Sequence, residues 1–427
     1  MERTLRVAID AQIFPGGGEG GIEQFLIGLV HGLGQLTDGP EEYIIVGHWQ
    51  GADWLAPYLG PNQRLLSGPQ PQQDHFEKAK RLLGPFRKPA GVLWREVQRV
   101  VKGPPPPYVP TIPVSDGFYE GLGADVLHIT YPLHFVQAAV PTVFTIHDLQ
   151  HRHYPEFFNR RHLMWRETVY PAAFRHARAI AAVSRYVRKD VIEQYGVDLY
   201  KVYAIPSASP TACYQPVSNH TLTNVQRKFR LPSAFMLYPA LTYQHKNHVR
   251  LLEAIALLRN RDGFAVNLVC TGQLKHFWPS IKKQVRELKL QNQVRFLGFV
   301  SATELRALYR LAQFVIFPSL FEGAGLPLLE AFREGTPVAC SDIPAFREYG
   351  GDAVYFLDPT SVESIAKAIR CMASDTQLRT CLREKGASRI RLFSWERTAK
   401  MYRALYRKVA GRPLSDEDQC LLAAAVS

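Results

Sequence analysis

The chain reads as two doubly wound α/β domains set face to face. Three observations carry this expectation. Short, continuous apolar runs rich in β-branched residues alternate with helix-like stretches along most of the sequence; such unalternating runs are what strands covered on both faces by helices show. The alternation comes as two series, over residues 1–205 and 223–393. The length, 427 residues, exceeds one ordinary hydrophobic core and suggests two domains of about 150–200 residues.

In the first series, LRVAID, EYIIVGH, ADVLHIT, PTVFTIHD, AIAAVS and KVYAIP each read as a buried parallel strand closed by Gly, Pro, Ser or His. Residues 51–117 interrupt it with a Pro/Gly/Gln-rich stretch, a basic segment and the tetraproline at 104–107. Proline at that density continues neither a helix nor a central strand, so an insertion or long loop is expected there. Residues 206–222 read as an interdomain linker by the same logic. The second series runs FMLYPA, AVNLVCTG, VRFLGFV, FVIFPS, TPVACS and AVYFLD, with helical stretches such as NHVRLLEAIALLRN between. Gly335 stands where a helix C′ residue belongs, just ahead of the strand opened by Pro337. A terminal helix is expected within 394–411, and 412–427, which lack periodicity, read as a mobile tail.

Hydrophobic residues at 46% and charged residues at 21% are ordinary for a soluble globular protein and argue against disorder. No basic, apolar and small-residue leader pattern precedes the first strand, so no secretory signal is expected. No apolar run approaches the roughly 18 residues of a membrane span. The six cysteines are widely spaced with no CxxC pair, which fits reduced cytosolic thiols better than disulfides or zinc. The net charge of +13 favours anionic partners. Residues 75–103 set eight Lys/Arg against Glu77 and Glu96, with Trp94, Phe86 and aliphatic residues interleaved. That pattern suits either a helix lying on an anionic membrane or one covering its own domain with a solvated basic face.

The most informative stretch is 314–335, FVIFPSLFEGAGLPLLEAFREG. A buried strand ends at Pro318-Ser319, a glycine-containing loop follows, and Pro327 sits where a first helical residue belongs. A helix starting there points free N–H groups and a positive dipole end at the strand edge, an anion site suited to phosphate. Seven residues separate Glu322 from Glu330. Carboxylates beside a phosphate site make sense where they accept hydroxyl hydrogen bonds from sugars. Elsewhere, His147-Asp148 closes a strand at its carboxyl edge, where α/β proteins bind ligands. Taken alone, the pair is as readily structural as catalytic, and Glu322 and Glu330 could be a solvated loop charge and a first-turn helix acid. His151 and His153 follow without a helical face or supporting cysteines, so no metal site is expected.

With these motifs in view, the chain resembles the family-four retaining glycosyltransferases of the GT-B superfamily, in a bacterial mannosyl- or hexosyltransferase-like form. The resemblance lies in PSLFEGAGLPLLEA, GGIEQ at 20–24, TIHD at 145–148, AAVS at 181–184 and HKNHVRLLEA at 245–254. It implies two Rossmann-like domains with the active site in their cleft, a nucleotide-sugar donor held mainly by the second domain, retention of anomeric configuration, and no obligatory metal or other cofactor. By that likeness Glu322 contacts the donor sugar, Glu330 the ribose and Lys246 the diphosphate, while His147 lies beside the sugar. Gly20 and Gly21 match a glycine-rich turn near the phosphates and acceptor. Ser319, Gly323, Ala324, Gly325 and Leu326 complete the donor loop, with Asp148 a further candidate. Physics agrees on Lys246, because an ammonium and a helix N-terminus stabilise charge developing on a departing diphosphate.

One departure stands out. Many relatives carry an arginine directly before the phosphate lysine, and here that position is His245; protonated His245 or Arg185 is the candidate second cation. The HKNH variant leans by resemblance towards GDP-mannose over a UDP-sugar. The acceptor is expected to be a glycan or lipid-linked, in cell-surface polysaccharide biosynthesis, with the enzyme cytoplasmic, at the inner membrane face if 75–103 binds lipid. Three rivals were weighed. Gly16, Gly18 and Gly21 spell a dinucleotide fingerprint, but the next strand ends in Gly47-His48 rather than an acid. A nucleic-acid-binding protein would explain the charge, but no binding module is recognisable and none is expected as a partner. A silent GT-B scaffold is argued against by intact Lys246, Glu322, Glu330 and His147.

Overall fold

A computed structural model of the chain describes residues 3–14, 20–70, 108–214 and 216–426. Among the described residues, thirteen strands form two parallel sheets. The first contains β1 (Leu5–Ala11), β2 (Glu41–Gly47), β3 (Gln63–Ser67), β4 (Val126–Ile129), β5 (Thr142–Ile146), β6 (Ala179–Ala182) and β7 (Val202–Ala204), in the order β3-β2-β1-β4-β5-β6-β7. The second contains β8 (Met236–Pro239), β9 (Leu268–Thr271), β10 (Val294–Phe296), β11 (Phe314–Phe317), β12 (Val338–Ser341) and β13 (Val354–Leu357), in the order β10-β9-β8-β11-β12-β13. Each sheet reverses its order beside its first strand, the topological switch point at which such sheets leave a ligand crevice. Central strands such as β4, β5, β6 and β11 are buried at every residue, because helices cover both faces and the continuous apolar runs have nowhere polar to point. These are the two Rossmann-like domains the sequence leads one to expect.

Three segments depart from that expectation. Within 51–117, a 3₁₀ helix Ala52–Tyr58 and the edge strand β3 continue the fold. β3 pairs Tyr43↔Gln63 through Gly47↔Ser67 with β2. Its sequence, QRLLS, is half polar because an edge strand is only partly covered, so its apolar signal is weak. The stretch 206–222 is not linker throughout, since helix Asn219–Lys228 begins inside it, N-capped by Ser218. Residues 412–427 are no mobile tail up to residue 426. Helix Asp416–Val426 packs there with Leu421, Leu422 and Ala425 buried, and Arg407 ion-pairs to both Asp418 (2.8 Å) and Glu41 (2.7 Å).

The terminal helix Trp395–Val409 does not stay with the second domain it follows in sequence. Its Trp395, Ala399, Tyr402, Leu405 and Tyr406 join the first domain's core beside Phe25, Leu29 and Leu33 of helix Gly21–Gly34. The two helices approach at two glycines. A Cβ on Gly28 would meet the Trp395 ring at 1.9 Å, and one on Gly32 would meet the Trp395 carbonyl oxygen at 2.9 Å. Tyr406 and Thr145 clasp the buried His128 ring from both nitrogens at 2.7 Å.

Candidate active site in the interdomain cleft

Two loops at the carboxyl edge of the second sheet are stitched together before any ligand enters. After β8 the chain makes a short turn, Gln244–Lys246, and reverses at Asn247, which adopts a left-handed φ of 60°. Asn tolerates that conformation better than most residues. Its buried amide donates to the Pro318 carbonyl (2.9 Å) and the Pro359 carbonyl (2.8 Å). The Leu320 N–H donates to the His245 carbonyl at 2.8 Å, and Tyr238 donates to the Lys246 carbonyl at 2.5 Å. Lys246 is thereby aimed at the loop after β11, where its Nζ donates to Glu322 Oε1 at 2.6 Å. Both side chains are mostly buried, at 17% and 14% exposure.

The loop passes through Gly323, Ala324 and Gly325 into helix Leu326–Arg333, whose first turn contains Pro327 and carries no side-chain cap. Pro327 has no N–H and the Leu328 and Leu329 N–H groups bond the Gly325 carbonyl at 3.0 and 3.2 Å, so what the helix start offers is the positive end of its dipole without a side-chain counter-charge. One turn on, Glu330 accepts from the Tyr309 hydroxyl at 3.0 Å. Burial pushes the Glu330 carboxyl up to about 7 and nearby Glu334 adds to this, against the lowering effect of the Tyr309 bond.

The first domain supplies the facing wall. His147 closes β5, bonds the Thr130 carbonyl through Nε2 at 2.8 Å and meets Phe25 edge-on at 5.1 Å. A carbonyl can only accept, so the proton sits on Nε2 and Nδ1 remains an acceptor. Burial lowers its basicity, which keeps the imidazole neutral. Asp148 accepts the Gln150 N–H at 2.9 Å. Gly20, at φ 55°, precedes helix Gly21–Gly34 and lies against Leu241 of the other domain. Gly16 and Gly18 fall outside the described residues, as does 75–103.

The cavity between these walls measures about 1430 Å3. It brings together Gly20, Gly21, His147, Asp148, His245, Lys246, Glu322, Gly323, Ala324, Leu326 and Glu330. Gly325 supports it from behind, its Cα packed so closely that a Cβ would lie 2.4 Å from Tyr349 Cβ. Three expectations need correction. Ser319 is 1% exposed and lies beneath the loop rather than on the lining. Arg185 is exposed and off the cavity, because it opens helix Arg185–Tyr195, whose first N–H groups bind the Glu348 carboxylate at 2.9 and 3.0 Å. His245 does line the cavity, but burial, with Lys246 beside it, holds its ring well below its ordinary basicity. In the free cleft that favours the neutral ring, which supplies no cation. His151 and His153 bond Tyr195 and Asp190, and no cluster that could hold a metal occurs among the described residues.

Sequence reasoning missed Asn247, Tyr309 and the residues that hold the domains together. Ser184 donates to the Gly323 carbonyl at 2.7 Å, and Tyr349 donates to the Val183 carbonyl at 2.7 Å. AAVS at 181–184 pointed to Ser184, yet only the fold reveals its partner.

Comparison with known proteins follows the same division. Residues 67–211 match the family model described as Glycosyltransferase Family 4, and residues 223–389 match Glycosyl transferases group 1. The chain belongs to the family-four glycosyltransferases. This glycosyltransferase is 28% identical over 259 residues to the O-antigen chain mannosyltransferase B of Escherichia coli, a match covering 60% of this chain and 67% of the relative. It is 27% identical over 230 residues to the O-antigen chain mannosyltransferase RfbU of Salmonella typhimurium, covering 53% of this chain and 59% of that one. The chain thus matches only part of each relative's length. Among solved structures, Anabaena HepE in complex with UDP and glucose superposes with a TM-score of 0.67 at 17% identity, over 95% of this chain and 100% of that one. That likeness shows the GT-B fold. No helix among the described residues is long and apolar enough to cross a membrane.

Proposed function

We propose that this enzyme transfers mannose from GDP-mannose, with retention, to a glycan or lipid-linked acceptor in the assembly of a cell-surface polysaccharide. The observation that carries the reading is the Lys246–Glu322 pair, 2.6 Å apart, beside the uncapped start of helix Leu326–Arg333 inside the interdomain cleft. In the free cleft the two charges satisfy each other. A donor entering between them gives each a better partner: the ammonium and the positive end of the helix take the diphosphate, and Glu322 takes hexose hydroxyls. Glu330, set one turn deeper, accepts from the ribose. His147, with Nδ1 free to accept, orients a sugar hydroxyl from the other wall.

In the transfer, the bond between C1 and the diphosphate oxygen breaks as the acceptor oxygen bonds C1 on the same face. The acceptor's proton passes to the leaving diphosphate, so no protein nucleophile is required. Lys246 and the helix start stabilise the charge that develops on that group, where preorganised electrostatics contributes most. No metal or other cofactor enters this scheme. Mannose is supported by the names of the two relatives above; the solved neighbour binds UDP, which keeps a UDP-sugar as the alternative donor. The basic, aromatic-bearing composition of 75–103 supports contact with the inner face of a membrane from the cytoplasm.

A thermal-shift series with GDP, UDP, GDP-mannose and UDP-glucose tests the donor. A ligand at 100 times its Kd stabilises by about 2.7 kcal/mol, and Lys246→Ala and Glu330→Ala should abolish the shift. Unmoved melting curves with all four ligands refute the reading.

A further inference from the structure

The first domain's wall of the cleft carries a cation that the donor scheme leaves unused. Arg166 projects from helix Arg160–His176 into the cavity, near Phe157, Asn159 and His162. It donates to the Tyr170 hydroxyl at 2.5 Å and lies over the rings of Phe158 (4.9 Å) and Tyr170 (5.5 Å). These contacts fix the guanidinium without neutralising it. Among the described residues no carboxylate lies within ion-pairing distance of it, although the other Lys and Arg side chains of the lining have acid partners: Lys246 has Glu322, and Arg306 has Glu334 at 2.5 Å.

A second observation comes from the same wall of the cavity. Gln150, also on the lining, is 9% exposed, and its side-chain amide nitrogen is buried with no hydrogen-bond partner. Buried donors and charges cost free energy unless something satisfies them. Of the neighbouring acids, Asp148 accepts the Gln150 backbone N–H and lends Arg166 a favourable field without an ion pair, and Glu156 is exposed at the rim. A half-buried guanidinium with no ion pair, in the field of Asp148 and sharing its cavity lining with an unmatched amide donor and aromatic faces, has the chemistry of an oxyanion subsite, since its planar fork matches phosphoryl or carboxylate oxygens two at a time.

We propose that the acceptor carries an oxyanion, phosphoryl or carboxylate, held by Arg166 with the Gln150 amide on the first-domain wall. The proposal rests on the glycosyl-transfer reading, which places the donor against the opposite wall and leaves this one to the acceptor. It narrows the acceptor from any sugar hydroxyl to one on a charged molecule.

The test uses full-length protein saturated with GDP, or with UDP if that is the nucleotide bound, so that the donor phosphate site is filled. Mannose 1-phosphate, glucuronate and methyl α-mannoside are titrated in by calorimetry. At least one anion should bind roughly tenfold tighter than the neutral glycoside, a difference of about 1.4 kcal/mol, and the tighter of the two identifies the oxyanion. Arg166→Gln should erase the preference while leaving nucleotide affinity and Tm unchanged, and Arg166→Lys should retain part of it. Should Arg166→Gln fail to fold, Arg166→Lys decides: weaker anion binding with the neutral sugar unaffected supports the subsite, and unchanged binding overturns it. Equal affinities for charged and neutral sugars, no anion binding at millimolar concentration, or a preference surviving in Arg166→Gln each overturn it as well. Nucleotide binding is read in the same samples, so a failed donor reading shows as absent nucleotide binding, separately from a failed anion preference.

Discussion

Gly323 lies so close to His147 that a Cβ built on it would stand 1.8 Å from the His147 carbonyl oxygen. One residue belongs to the loop after β11 and the other to the end of β5, so this contact fixes how near the two walls of the cleft come. Backbone that tight has no room for a methyl group, and the Ser184 bond to the Gly323 carbonyl holds it there.

Gly323→Ala should therefore push the domains apart without unfolding either. A displacement of about 1 Å between reacting groups costs on the order of 100-fold in rate. We expect kcat/KM for transfer to fall by about that factor while circular dichroism and Tm stay close to wild type. Undiminished turnover would show that the walls need not approach this closely.

Removing one partner of the Lys246–Glu322 pair leaves the other charge buried and alone. Lys246→Met should lower stability by about 3–5 kcal/mol and kcat by about 100- to 1000-fold. The double variant Lys246→Met/Glu322→Leu should recover the stability and none of the activity. Denaturant midpoints and initial rates on the three proteins separate these effects.

Glu330 makes stability depend on pH in a stated direction. Its carboxyl is pushed up to about 7 in the folded chain from an ordinary value of 4.5, so the folded state favours the protonated form. The contribution is fully present below the unfolded value and is lost as pH rises from about 4.5 through 7. Glu330→Gln, which cannot ionise, should therefore be more stable than wild type at pH 8 by up to about 3 kcal/mol and about equal to it at pH 4.5. A nucleotide-free thermal scan across that range is the check, and a variant less stable at pH 8 would refute the shift.

Truncation after residue 411 removes helix Asp416–Val426 and exposes the surface covered by Leu421, Leu422 and Ala425. At about 1.5–3 kcal/mol for each fully buried leucine, the loss should be about 3–6 kcal/mol. Arg407 keeps Glu41 but loses Asp418. Chemical denaturation of the truncated chain measures this, and an unchanged midpoint would mean the helix is dispensable.

The parallel sheets were legible because runs such as VFTI and FVIF are apolar at every position, and burial on both faces is what makes them so. β3 was hidden for the converse reason: Gln63 and Arg64 belong to an edge that is half wet. Helix Asp416–Val426 was lost because its apolar residues cluster at one end instead of recurring at helical spacing. Glu322 and Glu330 were marked by their spacing and His147 by its strand-end position, while Lys246 stood out only through the resemblance carried by HKNHVRLLEA. What the sequence could not supply was pairing between distant segments: Asn247 reaching Pro318 and Pro359, Tyr309 reaching Glu330, and Glu348 capping the helix that Arg185 begins. Arg185 and His245 looked equally able to serve as cations, and only their placement, one outside and one desolvated, decides against both.

The return of Trp395 and its helix onto Gly28 sets an order for synthesis. The first domain lacks part of its own interior until residues 395–426 are made. At about 5–20 residues per second, the interval between residues 205 and 427 is roughly 10–45 seconds, during which the apolar stripe of helix Gly21–Gly34 waits uncovered. The later half, which needs nothing from the C-terminal helices for its own core, can close first.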